Sequence, residues 1–407
     1  MSGKGNMLSI EEQVKIVTDL VKPVRTERVP LAQAAFRVIA EDVIAKENVP
    51  PFRRVPLDGY AFRSEDVKDA SPEQPVTLKV LEEIPAGGVS HFEITKGTAV
   101  RIMTGAPMPD SADCMIGYEA TEFTEEEVKI FRPVKAGSNI ILPGEDTKKG
   151  EKLAAAGTVV DSGLAGTLAG QNIAEPCVYA VPKIGIITTG SELAEVGCEL
   201  TGGMIHDSNG YTLNAAIKRL GCEPVMYGIA GDNIDVICEK IRAAVEECDA
   251  VVLTGGVSVG DFDYTPAAIE KAGAQILFQG ARLKPGMACA YAEKDGKLIA
   301  ALSGNPTSSI INFLVLARPA LLKLAGRADW KTNYITVTLK GSFDKASRGT
   351  RLVHGRLDLS DGTVRMDLAS RQGNVILSSS IGSDVLAIIP AGSGPLSPGA
   401  ELKAFLI

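Results

Sequence analysis

The segment KIGIITTGSEL, residues 183–193, opens the part of the sequence that decides the fold. An apolar, β-branched run ends here in hydroxyl residues and glycine, which predicts a buried strand followed by a turn. From this point strands and helices alternate strictly, which predicts right-handed βαβ units and a mostly parallel sheet with helices on both faces. The alternating segments that follow are NGYTLNAAIKRLG, CEPVMYGIA, NIDVICEKIRAAVEE, DAVVLTG, PAAIEKAG and QILFQG.

The sequence on either side of this α/β region has a different character. Ser9-Ile10-Glu11-Glu12 predicts a capping box that opens an amphipathic helix. Short strands with proline, glycine and acidic turns then predict a compact β unit, and helical spacing returns at 161–173, so the β unit interrupts a helical domain. After Trp330 the pattern is β-rich again. We therefore predict a discontinuous helical domain (1–48 and 143–180), an inserted β domain (49–142), the α/β domain (181–328) and a small β domain (329–407).

Composition narrows the class of protein. The 407 residues are 45% hydrophobic and 23% charged, as in ordinary globular proteins, and the formal net charge of −8 argues against a nucleic-acid binder. Seven scattered cysteines without a C-x-x-C predict reduced thiols rather than a zinc site or disulfides. We find no apolar signal core and no uninterrupted apolar stretch of about 18 residues. We therefore expect a cytoplasmic protein with a small-molecule partner and no membrane association.

The predicted strands are followed by polar loops that should emerge at one edge, where open α/β sheets bind ligands. Glycine-rich turns expose backbone N–H groups, and Arg282 and Lys284 add positive charge. Together they predict a cradle for phosphate or another oxyanion. The four loops are Thr188-Thr189-Gly190-Ser191-Glu192, Gly231-Asp232-Asn233, the segment 254–263, and Arg282-Leu283-Lys284-Pro285-Gly286.

Carboxylates in the same loops would repel an anion unless a hard cation such as Mg2+ lay between them. Glu192, Asp232, Asp261 and Asp263 are therefore candidates near a metal. A structural alternative exists for two of them, because Asp232 could cap the helix at Asn233 and Glu192 could be a first-turn charge. Asp263 is the better-supported metal residue.

The loop GVSVG, Gly256–Gly260, also contains the G-x-S-x-G pattern of a nucleophile elbow. An elbow places serine on the turn directly between strand and helix, whereas here the helical pattern begins seven or eight residues after Ser258. His354 is the only histidine downstream of the loop, and it lies in the separate β domain. The pattern therefore favours an anion-binding loop over a hydrolase.

Three further stretches are polar enough to bind ligand or to be ordinary turns. PLDGYAF (56–62) and PGEDTKKGEKL (143–153) could be solvated turns, and SGNPTSS (303–309) could be only a well-capped helix start. The residues alone leave these alternatives open.

Taken together and in this order, eight motifs resemble the molybdopterin molybdenumtransferase family, which comprises the MoeA proteins and the E domain of gephyrin. The resemblance covers essentially the whole chain. The motifs are DGYA (58–61), RIMTGAPMP (101–109), PGEDTKKGE (143–151), TGSEL (189–193), DSN (207–209), TGGVSVGDFDY (254–264), LKPG (283–286) and SGNP (303–306).

The resemblance implies a MoeA-like multidomain fold in which the helical domain mediates dimerisation, the α/β domain binds molybdopterin and the C-terminal domain is a β barrel. It implies a homodimeric transferase that inserts molybdate into adenylylated molybdopterin, with Mg2+-dependent pyrophosphate cleavage and AMP release. Other proteins of molybdenum cofactor biosynthesis are candidate partners. The alternatives are a tungstate-inserting paralogue, a catalytically silent cofactor carrier and a gephyrin-like interaction protein.

The same resemblance assigns site residues, which would meet between two subunits. Three places depart from the family pattern: Gly280 stands where some members have lysine, Asn374 replaces the serine of a Q-G-S stretch, and PLD stands before Gly59 where MD is commoner. The implied catalytic residues are Asp58, Asp146, Asp263 and Lys284, and the implied Mg2+ ligands are Glu192, Asp232 and Asp263. The implied substrate-binding residues are Thr104, Gly255, Gly256, Ser258, Arg282, Pro285, Ser303, Asn305 and Pro306.

Overall fold

The computed structural model describes residues 8–257, 264–360, 362–369 and 371–407, so the predictions for Ser258, Asp261 and Asp263 lie outside the described residues. By internal contacts the chain groups into two compact units. The first comprises Met1–Glu41, Ala156–Ser162 and Glu175–Ile407, and the second comprises Asp42–Ala155 and Gly163–Ala174. The finer division into four domains stays a prediction.

The first described helix, α1 (Ile10–Leu20), starts at the predicted capping box. Ser9 Oγ accepts a hydrogen bond from Glu12 N at 3.2 Å, and Ser9 N donates to Glu12 Oε2 at 2.7 Å. Val17 and Val21 are buried in the largest apolar core of the first unit. The capping box is confirmed. The helix is followed by β1 (Thr26–Arg28).

The second unit is built on a six-stranded sheet in the order β6-β3-β5-β4-β8-β7, beside a two-stranded β2-β9 pair. Strand β3 is buried along its whole length because both faces of this sheet are covered: Tyr60 and Phe62 enter one core and Ala61 the other. The elements are β2 (Val43–Ile44), β3 (Gly59–Phe62), β4 (Val76–Ile84), β5 (Thr98–Ile102), β6 (Cys114–Gly117), β7 (Thr121–Phe123), β8 (Glu127–Ile130), β9 (Lys152–Ala154) and α2 (Ser162–Gly170).

In the first unit, strand–helix alternation produces the predicted α/β sheet. Strand β10 (Cys177–Tyr179) pairs separately with β1. The other elements are β11 (Lys183–Thr189), β12 (Leu193–Ala194), β13 (Ile205–His206), α3 (Asn209–Arg219), β14 (Glu223–Ala230), α4 (Ile234–Glu247), β15 (Ala250–Thr254), α5 (Thr265–Lys271), β16 (Gln275–Gln279), β17 (Cys289–Lys294), β18 (Lys297–Leu302), α6 (Pro306–Asn312) and α7 (Arg318–Leu324).

The sheet order is β14-β11-β15-β18-β17-β16. Strands β14, β11, β15 and β18 are parallel, and β17 is antiparallel to both of its neighbours. Strand β16 therefore points the same way as the four parallel strands, and its loop leaves the sheet at the same edge. Ile186 enters the core on one face, and Ile187 and Leu253 enter the core on the other. The predicted mostly parallel, doubly covered sheet is confirmed.

Helices α6 and α7 are joined by a five-residue π segment, so Pro306–Leu324 forms one helical run. By length and composition this run could cross a membrane, but 83% of its apolar window is buried inside the fold. Phe313 and Leu316 are fully buried in the main core. Buried core helices pass the same length and composition test, so the run is weak evidence for a membrane span.

The C-terminal strands close into a five-stranded barrel in the order β19-β21-β20-β22-β23. Val337, Val353 and Ala404 lie in the barrel's own core, whereas Leu352 and Leu386 pack into the core shared with the α/β sheet. The barrel therefore shares a core with the α/β sheet, and the barrel that the resemblance implied is confirmed. Its strands are β19 (Tyr334–Leu339), β20 (Arg351–Asp358), β21 (Arg365–Leu368), β22 (Val385–Ile389) and β23 (Glu401–Leu406).

Candidate functional site

A pocket of about 540 Å³ opens beyond the carboxyl ends of β11, β15 and β18, and we call it the edge pocket. Its polar lining comes from the ends of parallel strands and the loops that follow them, as expected for an open α/β sheet, and from the segment 206–209 that leads into α3. The lining residues are Thr189, Glu192, Leu193, Ile205, His206, Asp207, Ser208, Asn209, Thr254, Gly256, Val257, Ala288, Ser303, Gly304, Asn305, Pro306 and Val375.

The hydroxyl of Thr254 is the hydrogen-bonding centre of the pocket wall. Thr254 Oγ1 accepts from Asn209 Nδ2 at 2.9 Å and donates to the carbonyl oxygen of Ser303 at 2.9 Å. Asn209 Nδ2 also donates to the carbonyl oxygen of Gly304 at 2.8 Å. Thr254 is 1% exposed. These bonds join the end of β15, the start of α3 and the turn after β18 into one wall.

The glycines after β15 are required by close backbone approach. Gly255 has a φ of +108°, and a Cβ at this position would lie 2.2 Å from the carbonyl oxygen of Thr189. At Gly256, with a φ of +60°, a Cβ would lie 2.8 Å from Thr265 Oγ1. Thr265 Oγ1 donates to the carbonyl oxygen of Gly255 at 2.8 Å, so this hydroxyl ties the start of α5 to the loop. Larger residues would separate the loops after β11 and β15.

Glu192 and Asp232 lie on two loops that are hydrogen-bonded to each other. Ser191 N donates to Asp232 Oδ2 at 3.0 Å, and Asp232 N donates to Ser191 Oγ at 3.0 Å. The cap of α4 is Asn233, whose Oδ1 accepts from Asp235 N at 2.8 Å. The capping alternative for Asp232 is therefore wrong. The first-turn alternative for Glu192 is also wrong, because Glu192 leads directly into strand β12.

A metal site at this place stays a prediction. Within the described ranges no three His, Cys, Asp or Glu side chains are grouped to hold an ion, and the third predicted ligand, Asp263, lies outside them. Both Glu192 and Asp232 are exposed carboxylates on the joined loops. Proteins usually bind Mg2+ through one or two carboxylates together with water and substrate phosphate. The described donors fit such a site.

The part of the connection after β16 that spans residues 282–286 contributes no residue to the edge-pocket lining. Lys284 N donates to the carbonyl oxygen of Thr350 at 3.1 Å, and Leu352 N donates to the carbonyl oxygen of Lys284 at 2.9 Å, so the turn is held against barrel strand β20. Arg282 lines a different cavity, which it shares with barrel residues and the start of α1. Of the predicted residues in this turn that the structure describes, Arg282, Lys284 and Pro285 are all outside the edge-pocket lining. Their roles stay predictions.

In the second unit the structure brings Asp58 and Thr104 together. Thr104 Oγ1 and Thr104 N both donate to Asp58 Oδ1 at 2.7 Å, and these two hydrogen bonds lower the pKa of the Asp58 carboxyl. The next residue must be glycine, because a Cβ at Gly59 would lie 2.0 Å from the carbonyl oxygen of Ile116. Asp58 is thus an exposed carboxylate with a fixed orientation.

Asp146, the other predicted catalytic acid of this unit, is also exposed. Its backbone N donates to the carbonyl oxygen of Val49 at 3.0 Å, which holds the PGEDTKKGE turn against the segment before β3. The structure thus fixes the backbone of Asp146, and the catalytic role of the side chain stays a prediction.

Sequence reasoning gave no role to several residues that form the edge pocket. Thr189 and Thr254 were visible as polar ends of buried strands, and Asp207 and Asn209 were visible only as a motif. Asp207 is 2% exposed, and its Oδ1 accepts from Gly210 N at 2.9 Å at the start of α3. Val375 comes from the barrel region and carried no signal in the sequence. Its neighbour, the departing residue Asn374, accepts from Thr307 N at 3.2 Å through its carbonyl oxygen.

A parallel sheet with a polar pocket at its carboxyl edge, combined with a closed barrel and a separate β unit, is typical of a multidomain α/β enzyme that binds a small molecule. The models of two known protein families match successive segments of the chain. Residues 8–171 match "MoeA N-terminal region (domain I and II)", and residues 185–323 match "Probable molybdopterin binding domain". The second match contains nearly all of the edge pocket.

Relatives match the chain from end to end. The molybdopterin molybdenumtransferase of Staphylococcus epidermidis is 35% identical over 99% of this chain and 96% of its own length, and that of Staphylococcus aureus is 33% identical with the same coverage. A crystal structure of the molybdopterin biosynthesis MoeA protein from Pyrococcus horikoshii has a TM-score of 0.85 at 31% identity, covering 99% of this chain and 100% of that one. This chain belongs to the molybdopterin molybdenumtransferase family, a family of transferases in molybdenum cofactor biosynthesis.

Proposed function

We propose that this enzyme inserts molybdate into adenylylated molybdopterin, with Mg2+-dependent cleavage of the pyrophosphate bond and release of AMP. The observation that carries the proposal is the edge pocket: a polar cavity at the carboxyl edge of a parallel sheet, within the segment that matches a probable molybdopterin-binding domain. Its volume of about 540 Å³ suits a pterin-sized ligand, since small-molecule pockets commonly measure about 300–1,000 Å³.

In this proposal the pocket wall around Thr254 binds the pterin. The Oδ1 atom of Asn209 is buried and has no hydrogen-bond partner among the described residues, while the Nδ2 atom of the same amide is held by two partners. The amide orientation is therefore fixed, with an acceptor left unused. A pterin ring carries N–H donors that would satisfy such an acceptor, as buried polar groups require. Ser303, Asn305 and Pro306 complete this side of the pocket.

The phosphates are bound by backbone groups in this proposal. The loop of Gly255 and Gly256 and the start of the helical run at Pro306 both line the ends of parallel strands. Backbone N–H groups at such turns and helix starts attract anions. Ser258 belongs to the same proposed group of substrate-binding residues and lies outside the described residues.

Glu192 and Asp232, with Asp263, would hold Mg2+ in this proposal. The ion would neutralise charge on the pyrophosphate when bound. The hydrogen bonds between Ser191 and Asp232 keep the two carboxylate loops together, so the chain itself sets the position of the negative charge. Lys284 and Arg282 supply positive charge in this proposal, with Pro285 shaping their turn.

Asp58, Thr104 and Asp146 complete the proposed catalytic set. The two hydrogen bonds that Thr104 donates to Asp58 Oδ1 favour the ionised form of the Asp58 carboxyl at neutral pH and fix its orientation. We further propose that the enzyme is a cytoplasmic homodimer and that it works with other proteins of molybdenum cofactor biosynthesis. All seven cysteines are free thiols, which supports a reducing compartment.

The test is AMP release, followed by mass spectrometry, when the purified protein is mixed with adenylylated molybdopterin, molybdate and Mg2+. We expect Glu192→Gln to lower turnover at least about tenfold because it removes one metal-facing charge. Glu195→Gln is the matched control, since Glu195 is an exposed acid of the same region outside the edge-pocket lining. The absence of AMP release by the wild-type protein would contradict the proposed reaction, and equal loss in both variants would contradict the assignment of Glu192.

A further inference from the structure

A second cavity in the first unit shares no lining residue with the edge pocket. It measures about 430 Å³ and lies between the end of α3, the helical run α6–α7 and the outer face of the barrel strand β20. Three arginines line it, Arg219, Arg318 and Arg327, and we call it the arginine cavity. A volume of this size holds a small organic molecule.

The three guanidinium groups are only partly neutralised. Arg327 forms a bidentate pair with Asp329, with Nε to Oδ1 at 2.7 Å and Nη2 to Oδ2 at 2.6 Å. Arg318 Nη1 donates to the carbonyl oxygen of Leu406 at 2.9 Å, which is a neutral partner. Arg219 forms no salt bridge with any described residue. Arg219 and Arg318 therefore contribute positive charge that no acidic group of the described residues pairs at salt-bridge distance.

The arginines are also close enough to affect one another. Burial lowers the pKa of Arg318, and the neighbouring charges of Arg327 and Arg219 lower it further. Uncompensated cations beside one another repel, and an anion bound between them would relieve that repulsion. Arginine binds carboxylate and phosphate groups through two parallel N–H donors, which makes it the preferred residue for such ligands.

His354 gives an independent indication of a ligand. Its side chain is 1% exposed and lines the cavity, and both ring nitrogens are buried without a hydrogen-bond partner in the described part of the chain. Burial lowers the pKa of His354 to about 4, so the ring is neutral at pH 7 and offers one N–H donor. Buried polar atoms are nearly always paired in folded proteins, which makes a ring with two unpaired nitrogens unusual.

Apolar side chains lie beside the arginines in the cavity lining. Leu314, Arg318 and Leu322 are spaced four residues apart on one helical run, and Leu220 follows Arg219 directly. An inorganic ion would leave these leucines without contacts, whereas a ligand with an apolar body would cover them. Arg219 is exposed, so the cavity is open to solvent at this residue.

We propose that the arginine cavity is a second ligand site, which binds a small organic anion with an apolar or aromatic body and a phosphate or carboxylate head. The head lies against the guanidinium groups, and the body lies against Leu220, Leu314 and Leu322. The site goes beyond the proposed transferase reaction, since it lies apart from the edge pocket and its residues have no role there.

The test is isothermal titration calorimetry of the full-length protein with phenyl phosphate and with benzoate, which share an aromatic body and differ in the head group. Phenol is the neutral control. We expect at least one of the two anions to bind saturably at one site per chain, and we expect phenol to give no saturable heat. Arg219→Gln should weaken binding at least about tenfold because a charge-assisted hydrogen bond is lost.

Two further variants separate this site from its surroundings. Lys218→Gln removes a neighbouring exposed charge of the same helix outside the cavity lining and should leave binding unchanged. Glu192→Gln alters the edge pocket and should also leave binding unchanged, which separates failure here from failure of the proposed reaction. The proposal is overturned if neither anion binds at up to about 10 mM, if Arg219→Gln binds like wild type, or if Glu192→Gln abolishes binding.

Discussion

Replacing Thr254 by valine tests whether the hydroxyl at the end of β15 holds the edge pocket together. Valine has nearly the same shape as threonine, so the change removes the hydroxyl and little else. The hydroxyl accepts from Asn209 Nδ2 and donates to the carbonyl oxygen of Ser303, both at 2.9 Å. Both partners would have to find a replacement in a wall where Thr254 is 1% exposed.

The size of the effect follows from the two bonds. A buried intramolecular hydrogen bond contributes about 1 kcal/mol net, and a buried group left without a partner costs about 1–3 kcal/mol. Asn209 Nδ2 keeps its bond to the carbonyl oxygen of Gly304, whereas the carbonyl oxygen of Ser303 loses its donor and Ser309 Oγ loses a long, 3.5 Å bond to Thr254 Oγ1. We therefore expect Thr254→Val to lower the free energy of unfolding of the first unit by about 2 kcal/mol.

Thr188 provides a matched control because it lies directly across from Thr254 on the neighbouring strand. It is equally buried, yet its hydroxyl has no hydrogen-bond partner among the described residues. Removing an unpaired buried hydroxyl should be neutral or stabilising. Thr188→Val should therefore not lower stability, although the substitution is chemically the same.

Differential scanning calorimetry checks both variants. A loss of about 2 kcal/mol corresponds to a transition lowered by about 3–4 °C, because a unit of about 280 residues has an unfolding entropy of about 0.6 kcal/mol/K. Thr254→Val should show that shift, and Thr188→Val should show none or a small rise. Equal shifts in the same direction for the two variants would refute the reasoning, because the hydrogen bonds would then not be the cause.

Three further predictions follow from single contacts. Gly255→Ala should destabilise the first unit by about 2–6 kcal/mol in a calorimetric scan, because the positive φ and the close Thr189 carbonyl leave no room for a Cβ. Thr104→Val should raise the pKa of Asp58 toward its usual value in a carbon-13 NMR titration, because the variant loses the hydroxyl that donates to the carboxylate. In the wild type this contact stabilises the folded protein at a pH above the usual pKa of aspartate, and the stabilisation is lost as the pH falls through the lowered pKa. An unchanged pKa in the variant would contradict the assigned hydrogen bonds. Between about pH 6.5 and 4 the unfolded chain should bind a proton at His354 that the folded chain does not bind. The free energy of unfolding should therefore fall with acidification by up to about 1.4 kcal/mol per pH unit. His354→Gln should remove this pH dependence from the calorimetric profile.

Local patterns in the sequence were good predictors of individual elements. The capping box at Ser9 and Glu12, the alternating strands and helices after Lys183, and the β-rich C-terminal region all appear in the structure. These features depend on hydrogen bonds and burial within a short segment, which is the information that periodicity and turn residues contain. Local patterns were weaker for Asp232, where two adjacent residues could each have capped α4, and the structure shows that Asn233 does so.

The residues of the edge pocket likewise include some that the sequence predicted and some that it did not. Glu192, Gly256, Ser303, Asn305 and Pro306 were predicted from their positions after strands or from the family resemblance, and they line one pocket. Thr254 and Asn209 were not assigned, because a hydrogen bond between residues far apart in sequence has no local pattern. Val375 illustrates the same limit, since only the shared core places the barrel region beside the α/β sheet.

The sequence by itself determined the direction of the strands in the α/β sheet, because right-handed βαβ connections leave parallel strands with their carboxyl ends at one edge. Only the tertiary structure decided the lateral order of those strands, which depends on long-range packing. Strand β17 lies between β18 and β16, so the turn carrying Arg282 and Lys284 emerges at the border of the sheet and is held against the barrel. The same long-range packing brought three arginines and a buried histidine to one cavity, although they lie on elements that are far apart in the chain.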